Sequence, residues 1–302
     1  MQIIKISPRG YCKGVVNAIN IAKKTAMEHP NEKIYILGMI VHNKYVTEAL
    51  NLYNIKTIES KGKTRLELLD LIDEGIVIFT AHGISQQVKE KALSKGLTCV
   101  DASCIDVQTT QEKVKEKLQE GYDVIYIGSL NHPEAEAITS ISNRVHLITK
   151  PTEVDALHLS NPLIYVTNQT TMSFIEIGVI FKRIEEKYPQ VYIEEELCSA
   201  TRLRQQALIK NKALDLLYVV GDPSSNNSNK LKDIAALHGT KNVRLIETAK
   251  EIKLEDLNVE TVGITAGAST PTYLTNQVIQ VLEKYAKDGI LEVPEIELSK
   301  IL

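Results

Sequence analysis

Cys12, Cys104 and Cys198 stand 92 and 94 residues apart, a step that repeats almost unchanged along a chain of 302 residues. No CxxC or CxxxC pair occurs, which excludes a zinc ribbon or a ferredoxin-type binding loop. Three thiolates spread in this way suit either zinc with a fourth ligand or an iron–sulfur cluster with one iron lacking a protein sulfur. Cys99, in the strand-like run GLTCVD, breaks the step and reads as packing. His42, His82 and His132 are three of only seven histidines, and each follows a short apolar run. Glu134, Thr170, Thr171, Ser225, Asn227 and Ser269 occupy similar places. Hydroxyls, amides and imidazoles without an acidic excess suit an anion. SSNNS (224–228) and GASTP (267–271) each open a candidate helix, whose N-terminal amides favour phosphate. Neither is a Walker loop and no GxGxxG occurs, so a nucleotide is not implied. Glu134, the carboxylate of HPE, becomes a proton donor if it is shielded from water.

The elements that must position these groups also repeat. IYILGMIVHN (34–43), VIYIGSLNHPE (124–134) and LYVVGDPSSNNS (217–228) each read as a strand running through a glycine into a polar loop. VIFTAHGIS (77–85), LIYVTNQTTMS (163–173) and VGITAGASTP (262–271) form a second set, 39 to 45 residues behind the first. After each cysteine the pattern turns helical. Val15, Ala18, Ile19, Ala22 and Ala26 make one apolar stripe, Ala207, Leu208 and Leu214 belong to another, and the stretch after Cys104 is more polar. STPTYLTNQVIQVLEKYAKDG reads as a helix with Pro271 in its first turn. Strands alternating with helices predict an α/β fold of three similar small modules with mostly parallel sheets around a pseudo-threefold centre. The expected modules are 1–103, 104–197 and 198–302, the last carrying a C-terminal segment.

Composition bounds the function. Lys and Arg total 35 against 38 Asp and Glu, so no basic field invites nucleic acid. Twelve of the fifteen aromatics are Tyr and Trp is absent, which leaves few platforms for stacked bases. No apolar run approaches the ~20 residues of a membrane helix, and the N-terminus lacks the long apolar stretch of a signal peptide. We therefore expect a cytoplasmic protein with no membrane partner and reduced cysteines.

The chain resembles the 4-hydroxy-3-methylbut-2-enyl diphosphate reductases. The resemblance runs through RGYCKGV (9–15), GMIVHN (38–43), TAHGIS (80–85), DASC (101–104), NHPEAE (131–136), NQTTMS (168–173), LCSATRLRQ (197–205), SSNNSN (224–229) and TAGASTPT (265–272). It implies a trefoil around a 4Fe–4S cluster held by Cys12, Cys104 and Cys198, with the fourth iron open. It implies that His42, His82, His132, Thr170, Ser225, Asn226, Asn227 and Ser269 bind the allylic diphosphate, and that Glu134 delivers protons. The implied reaction is reductive dehydroxylation to isopentenyl and dimethylallyl diphosphate, fed by a ferredoxin- or flavodoxin-type donor. Several positions depart from the family's habit. DASCI stands for DATCP, Asn131 for a glycine before His132, and HPEAEAITS for a glycine-bearing HPExEGxxG. Lys13 replaces a small or aromatic residue beside Cys12, and Asn226 a serine. Two other readings compete: a metal-dependent hydrolase of a small diphosphate, and a non-catalytic cluster-binding paralogue.

Overall fold

A computed structural model describes residues 1–60 and 62–302. In chain order the elements are β1 (Gln2–Lys5), α1 (Lys13–Glu28), β2 (Ile34–Leu37), α2 (Lys44–Leu50), β3 (Ile55–Ile58), α3 (Arg65–Leu68), β4 (Ile76–Phe79), α4 (Gln86–Ser94) and β5 (Thr98–Asp101). There follow α5 (Ile105–Gln119), β6 (Asp123–Ile127), α6 (Pro133–Thr139), β7 (Val145–Ile148), α7 (Pro151–Ala156), β8 (Ile164–Asn168), α8 (Phe174–Lys187) and β9 (Tyr192–Ile193). The last are α9 (Ser199–Lys210), β10 (Leu216–Val220), α10 (Asn226–Leu237), β11 (Asn242–Ile246), β12 (Thr261–Ala266) and α11 (Thr272–Asp288).

These strands form three four-stranded sheets of one topology, β3-β2-β4-β5, β7-β6-β8-β9 and β11-β10-β12-β1, with every pairing parallel. Parallel neighbours need long crossovers, which the intervening helices supply. The three α/β modules expected from the repeat are thus present. In the third sheet the fourth strand is β1, which pairs with β12 in the register Ile3↔Val262. The chain forms two compact units. One comprises Met1–Ile19, Val41–Tyr53 and Ser199–Leu302 and contains the sheet closed by β1. The other comprises Asn20–Ile40 and Asn54–Cys198 and contains the remaining two sheets.

The central strands are apolar on both faces because helices cover both. In the first unit, Tyr218, Val220, Val262 and Ile264 pack under Val278, Val281 and Leu282 of α11. On the opposite face Leu217 and Val219 meet Ile6, Leu208 of α9 and Leu231 of α10. In the second unit, Ile125, Ile127 and Val166 pack under Ile177, Ile180 and Ile184 of α8. Val124, Tyr126 and Tyr165 meet Val114 of α5 and Ala135 and Ile138 of α6. Leu37, Val77 and Phe79 are covered by Val88 and Ala92 of α4.

The sequence reading located the six central strands, β2, β4, β6, β8, β10 and β12, and passed over the edge strands β3, β7, β9 and β11; the helix after Cys198 ends at Lys210, short of Leu214. The polar stretch after Cys104 is helical because Val107, Thr110, Val114 and Leu118 make one buried stripe. Pro271 is the residue before α11 rather than part of its first turn: its ψ of 130° is extended, and the helix starts at Thr272. The C-terminal segment stays within the first unit, where Gln277 Nε2 donates to the Glu295 carbonyl at 3.1 Å and Tyr11 OH to the Ile301 carbonyl at 2.8 Å.

Candidate functional site

In the two sheets of the second unit the chain moves to opposite neighbours after its two central strands, and in the first unit α10 and α11 leave β10 and β12 to opposite faces. The carboxyl ends of β2 and β4, of β6 and β8, and of β10 and β12 are therefore switch points, where open α/β sheets bind ligands. The residues singled out by sequence follow these ends: His42 after β2, His82 after β4, His132 and Glu134 after β6, Thr170 after β8, Ser225 to Asn227 after β10 and Ser269 after β12.

The three spaced cysteines are anchored alike. Each immediately precedes a helix of 12 to 16 residues: Cys12 before α1, Cys104 before α5 and Cys198 before α9. Each main-chain N–H donates to a carbonyl two residues beyond a central strand: Cys12 to Ala268 at 3.0 Å, Cys104 to Ala81 at 3.0 Å and Cys198 to Thr170 at 3.1 Å. None is in a disulfide and all three are partly exposed. The partial positive charge of a helix start favours an anionic ligand at each place. Such a donor set, soft thiolates beside helix N-termini, fits an iron–sulfur cluster. Cys99 differs. It lies in β5 against the core of Leu37 and Phe79, where burial pushes its thiol up from its ordinary value. Among the described residues no three His, Cys, Asp or Glu side chains are grouped closely enough to hold a single metal ion.

In the second unit the focus is Glu134, in the first turn of α6 and only 1% exposed. A surface-loop acid, the plain reading of HPE, is therefore not what this residue is. Its Oε1 accepts from the Thr170 amide at 2.8 Å and from Tyr126 OH at 3.2 Å; its Oε2 lies 3.0 Å from Thr170 Oγ1. Burial pushes the carboxyl up to about 7, although the donors on Thr170 and Tyr126 pull the other way. His132 precedes Pro133, and its Nδ1 accepts from the Glu134 amide at 3.2 Å, which places the ring proton on Nε2. The His82 ring stands edge-to-face on it, centroids 5.6 Å apart. Asn131 adopts φ +61°, a left-handed conformation that asparagine tolerates better than most other residues with a side chain. Ala137 lies buried inside α6, and Ser140 caps its end in the right-handed helical region, so neither position demands glycine.

In the first unit, Ser225 caps α10 by accepting from the Ser228 amide at 3.3 Å. Asn226 begins that helix, and Asn227 beside it is 4% exposed with no protein partner for either side-chain amide atom. A buried amide left unbonded is costly, and a ligand with both acceptors and donors relieves it. Ser269 donates its hydroxyl to the His42 carbonyl at 2.9 Å, so in this state it holds the His42 loop. Asp222 was missed by the sequence reading. Its carboxylate accepts from the Lys44 amide at 2.9 Å and from Ser224 N and Oγ at 2.8 and 2.6 Å, joining the His42 and Ser225 loops. The DPSS run at 222–225 has the make-up of an Asx turn and was the available signal. Arg204, also missed, is buried and donates to the Gly10 carbonyl at 2.6 Å and the Ala266 carbonyl at 3.3 Å, bracing the Cys12 loop.

Comparison with known proteins bears on the sequence and the fold as a whole. A family profile described as LytB protein matches residues 3–283. The 4-hydroxy-3-methylbut-2-enyl diphosphate reductase of Geobacillus thermodenitrificans is 48% identical over 290 residues, 94% of this chain and 91% of that protein. The Bacillus thuringiensis enzyme of that name is 49% identical over the same shares. Among solved structures, the E-1-hydroxy-2-methyl-but-2-enyl-4-diphosphate reductase from Plasmodium falciparum superposes with a TM-score of 0.87 at 30% identity, covering 99% of this chain and 95% of that one. With the profile spanning nearly the whole chain and relatives 48–49% identical over 94% of it, the chain belongs to the LytB family of 4-hydroxy-3-methylbut-2-enyl diphosphate reductases.

Proposed function

We propose that this chain performs the reaction its relatives are named for. It removes the C4 hydroxyl of 4-hydroxy-3-methylbut-2-enyl diphosphate, consuming two electrons and two protons, releasing water and giving isopentenyl and dimethylallyl diphosphate. Cys12, Cys104 and Cys198 hold a 4Fe–4S cluster with one iron free of protein sulfur. Bound there, the cluster supplies electrons and a Lewis acid for the hydroxyl. The electrons arrive from a ferredoxin- or flavodoxin-type protein, since the chain has no flavin or nicotinamide motif. We place the enzyme in the cytoplasm; no helix among its described residues is long and apolar enough to cross a membrane.

The observation that carries the reading is the environment of Glu134. An allylic hydroxyl leaves far more readily as water than as hydroxide, so the site needs an acid within reach. A carboxyl in water is ionised at neutral pH; this one, buried and held near 7, still carries its proton in about half the molecules. Thr170 Oγ1, 3.0 Å from Oε2, is placed to pass that proton on. The second supporting feature is Asn227, whose unmet amide beside the Ser225 cap suits a diphosphate oxygen. His42, His82, His132, Ser225, Asn226 and Ser269 complete the set that binds substrate.

Anaerobic purification tests the cofactor: a brown protein with iron and labile sulfide is expected. Reconstituted protein with a chemical reductant then consumes the hydroxymethylbutenyl diphosphate. Glu134→Gln keeps the shape and cannot release a proton; it should retain iron and substrate binding while turnover falls by roughly 10²-fold or more. A colourless zinc protein, or iron-loaded protein that leaves the substrate untouched, sinks the proposal.

A further inference from the structure

Tyr126 lies in β6 among Val114, Ala135, Ile138, Val145 and Tyr165, an apolar setting in which a phenylalanine would pack equally well. A phenol buried there is costly unless its hydroxyl finds a partner. The partner is Glu134 Oε1, 3.2 Å away. Burial holds the phenol well above its ordinary value, so it remains a donor throughout the physiological range. Room for the ring is made two residues later by Gly128, where a Cβ would lie 3.0 Å from Tyr126 Cε1 and 3.2 Å from Gln169 Oε1.

We propose that Tyr126 is a positioning residue for proton delivery: its hydroxyl and the Thr170 amide together occupy Glu134 Oε1, which leaves the acid proton on Oε2, against the Thr170 hydroxyl. An oxygen that already accepts two hydrogen bonds acts as the carbonyl oxygen of the acid, and the proton sits on the other. Thr170 Oγ1 accepts that proton as its own hydrogen passes to the departing substrate oxygen. The C–O bond then breaks with release of water; two electrons from the external reductant and the second proton go to the allylic carbons, giving the alkene. Without the phenol, only the Thr170 amide still holds Oε1, and the bias of the proton toward Oε2 weakens. The proposal rests on the reading of Glu134 as the acid.

The groups facing Glu134 are Tyr126 from β6, Asp106 from α5, His132 at the start of its own helix and Thr170 beyond β8. Of these groups only Tyr126, and Glu134 itself as the control, are changed in the test. The pH dependence of kcat is measured on the anaerobic holoenzyme, and the carboxyl stretch in isotope-edited infrared spectra gives the same midpoint without turnover. The wild type should lose activity as pH rises through the Glu134 midpoint. Tyr126→Phe removes a donor that favours the carboxylate, so the midpoint should rise by about one pH unit while KM stays within about twofold. Fluorotyrosine at 126, a stronger donor of nearly the same shape, should move it down, which keeps the test informative if Tyr126→Phe folds poorly. Glu134→Gln should abolish the basic limb, and adding Tyr126→Phe to it should change nothing further. A limb lost in Glu134→Gln but unmoved by both tyrosine changes overturns the role of Tyr126 alone. A limb that survives in Glu134→Gln overturns the reading of Glu134 as the acid, and this proposal with it.

Discussion

Glu134 links chemistry to stability at the level of one side chain. Its carboxyl sits near 7 in the fold against an ordinary value of 4.5, so between these pH values the unfolded chain has released a proton that the folded chain still holds. Stability therefore falls as pH rises through this window, by about 3 kcal/mol in all. Glu134→Gln has no such proton, and its stability relative to wild type should grow by about that amount between pH 4.5 and 8, as read from urea unfolding of the iron-free protein. An unchanged difference across the window would mean that Glu134 is ionised as in water. Asn227 has the opposite profile, since its buried amide has no protein partner. Asn227→Ala should weaken binding of the allylic diphosphate by ~1–3 kcal/mol without lowering the melting temperature. A stability loss with binding intact would make Asn227 a packing residue.

At the scale of elements, the recurring device is a cysteine at a helix start, tied through its own N–H to the loop beyond a central strand. The fold thus fixes the main chain at each thiol and leaves each side chain partly exposed. Replacing Cys12, Cys104 or Cys198 by Ser should strip or degrade the cluster, because a hydroxyl is a far poorer soft-metal ligand. Cys99→Ser, in β5, should leave the iron content intact, and iron analysis of the four variants decides it. The loop before Cys12 is as constrained. Gly10 has φ +76°, and a Cβ there would come within 2.4 Å of Thr272 Oγ1. Gly10→Ala should cost about 1–3 kcal/mol of stability and lower iron retention with it. The edge strands show why elements differ in legibility. β3 (IKTI), β7 (VHLI) and β11 (NVRLI) mix polar residues into short runs because one of their sides is unpaired, so they lack the continuous apolar signal of the central strands.

On the scale of the whole chain, β1 joins the sheet formed by the last hundred residues, so the first unit is assembled from both ends of the sequence. Ile6, just past β1, packs with Leu208, Leu217, Val219 and Leu231 and is buried. Ile6→Ala should cost ~2–5 kcal/mol, the usual range for emptying a core aliphatic site. Hydrogen exchange should then quicken in β10 and β12 together, as expected of one cooperative unit. If exchange rises only in residues 2–6, β1 is a frayed edge rather than part of that unit.

The sequence by itself determined the central strands, the helices behind each cysteine and the threefold repeat, because these depend on local apolar runs and on spacing. It also supplied the family, through nine ordered motifs from RGYCKGV to TAGASTPT. Tertiary structure alone decided that Glu134 is buried, since HPE has the same composition in a solvated loop. It also decided that Tyr126 reaches Glu134, Asp222 the Lys44 amide and Arg204 the Gly10 carbonyl, for these partners lie 8 to 194 residues away in sequence. The fourth strand of the last sheet came from the opposite end of the chain for the same reason. Local patterns record how much apolar surface a segment must bury, whereas hydrogen-bond partners and strand neighbours are chosen only when distant segments meet.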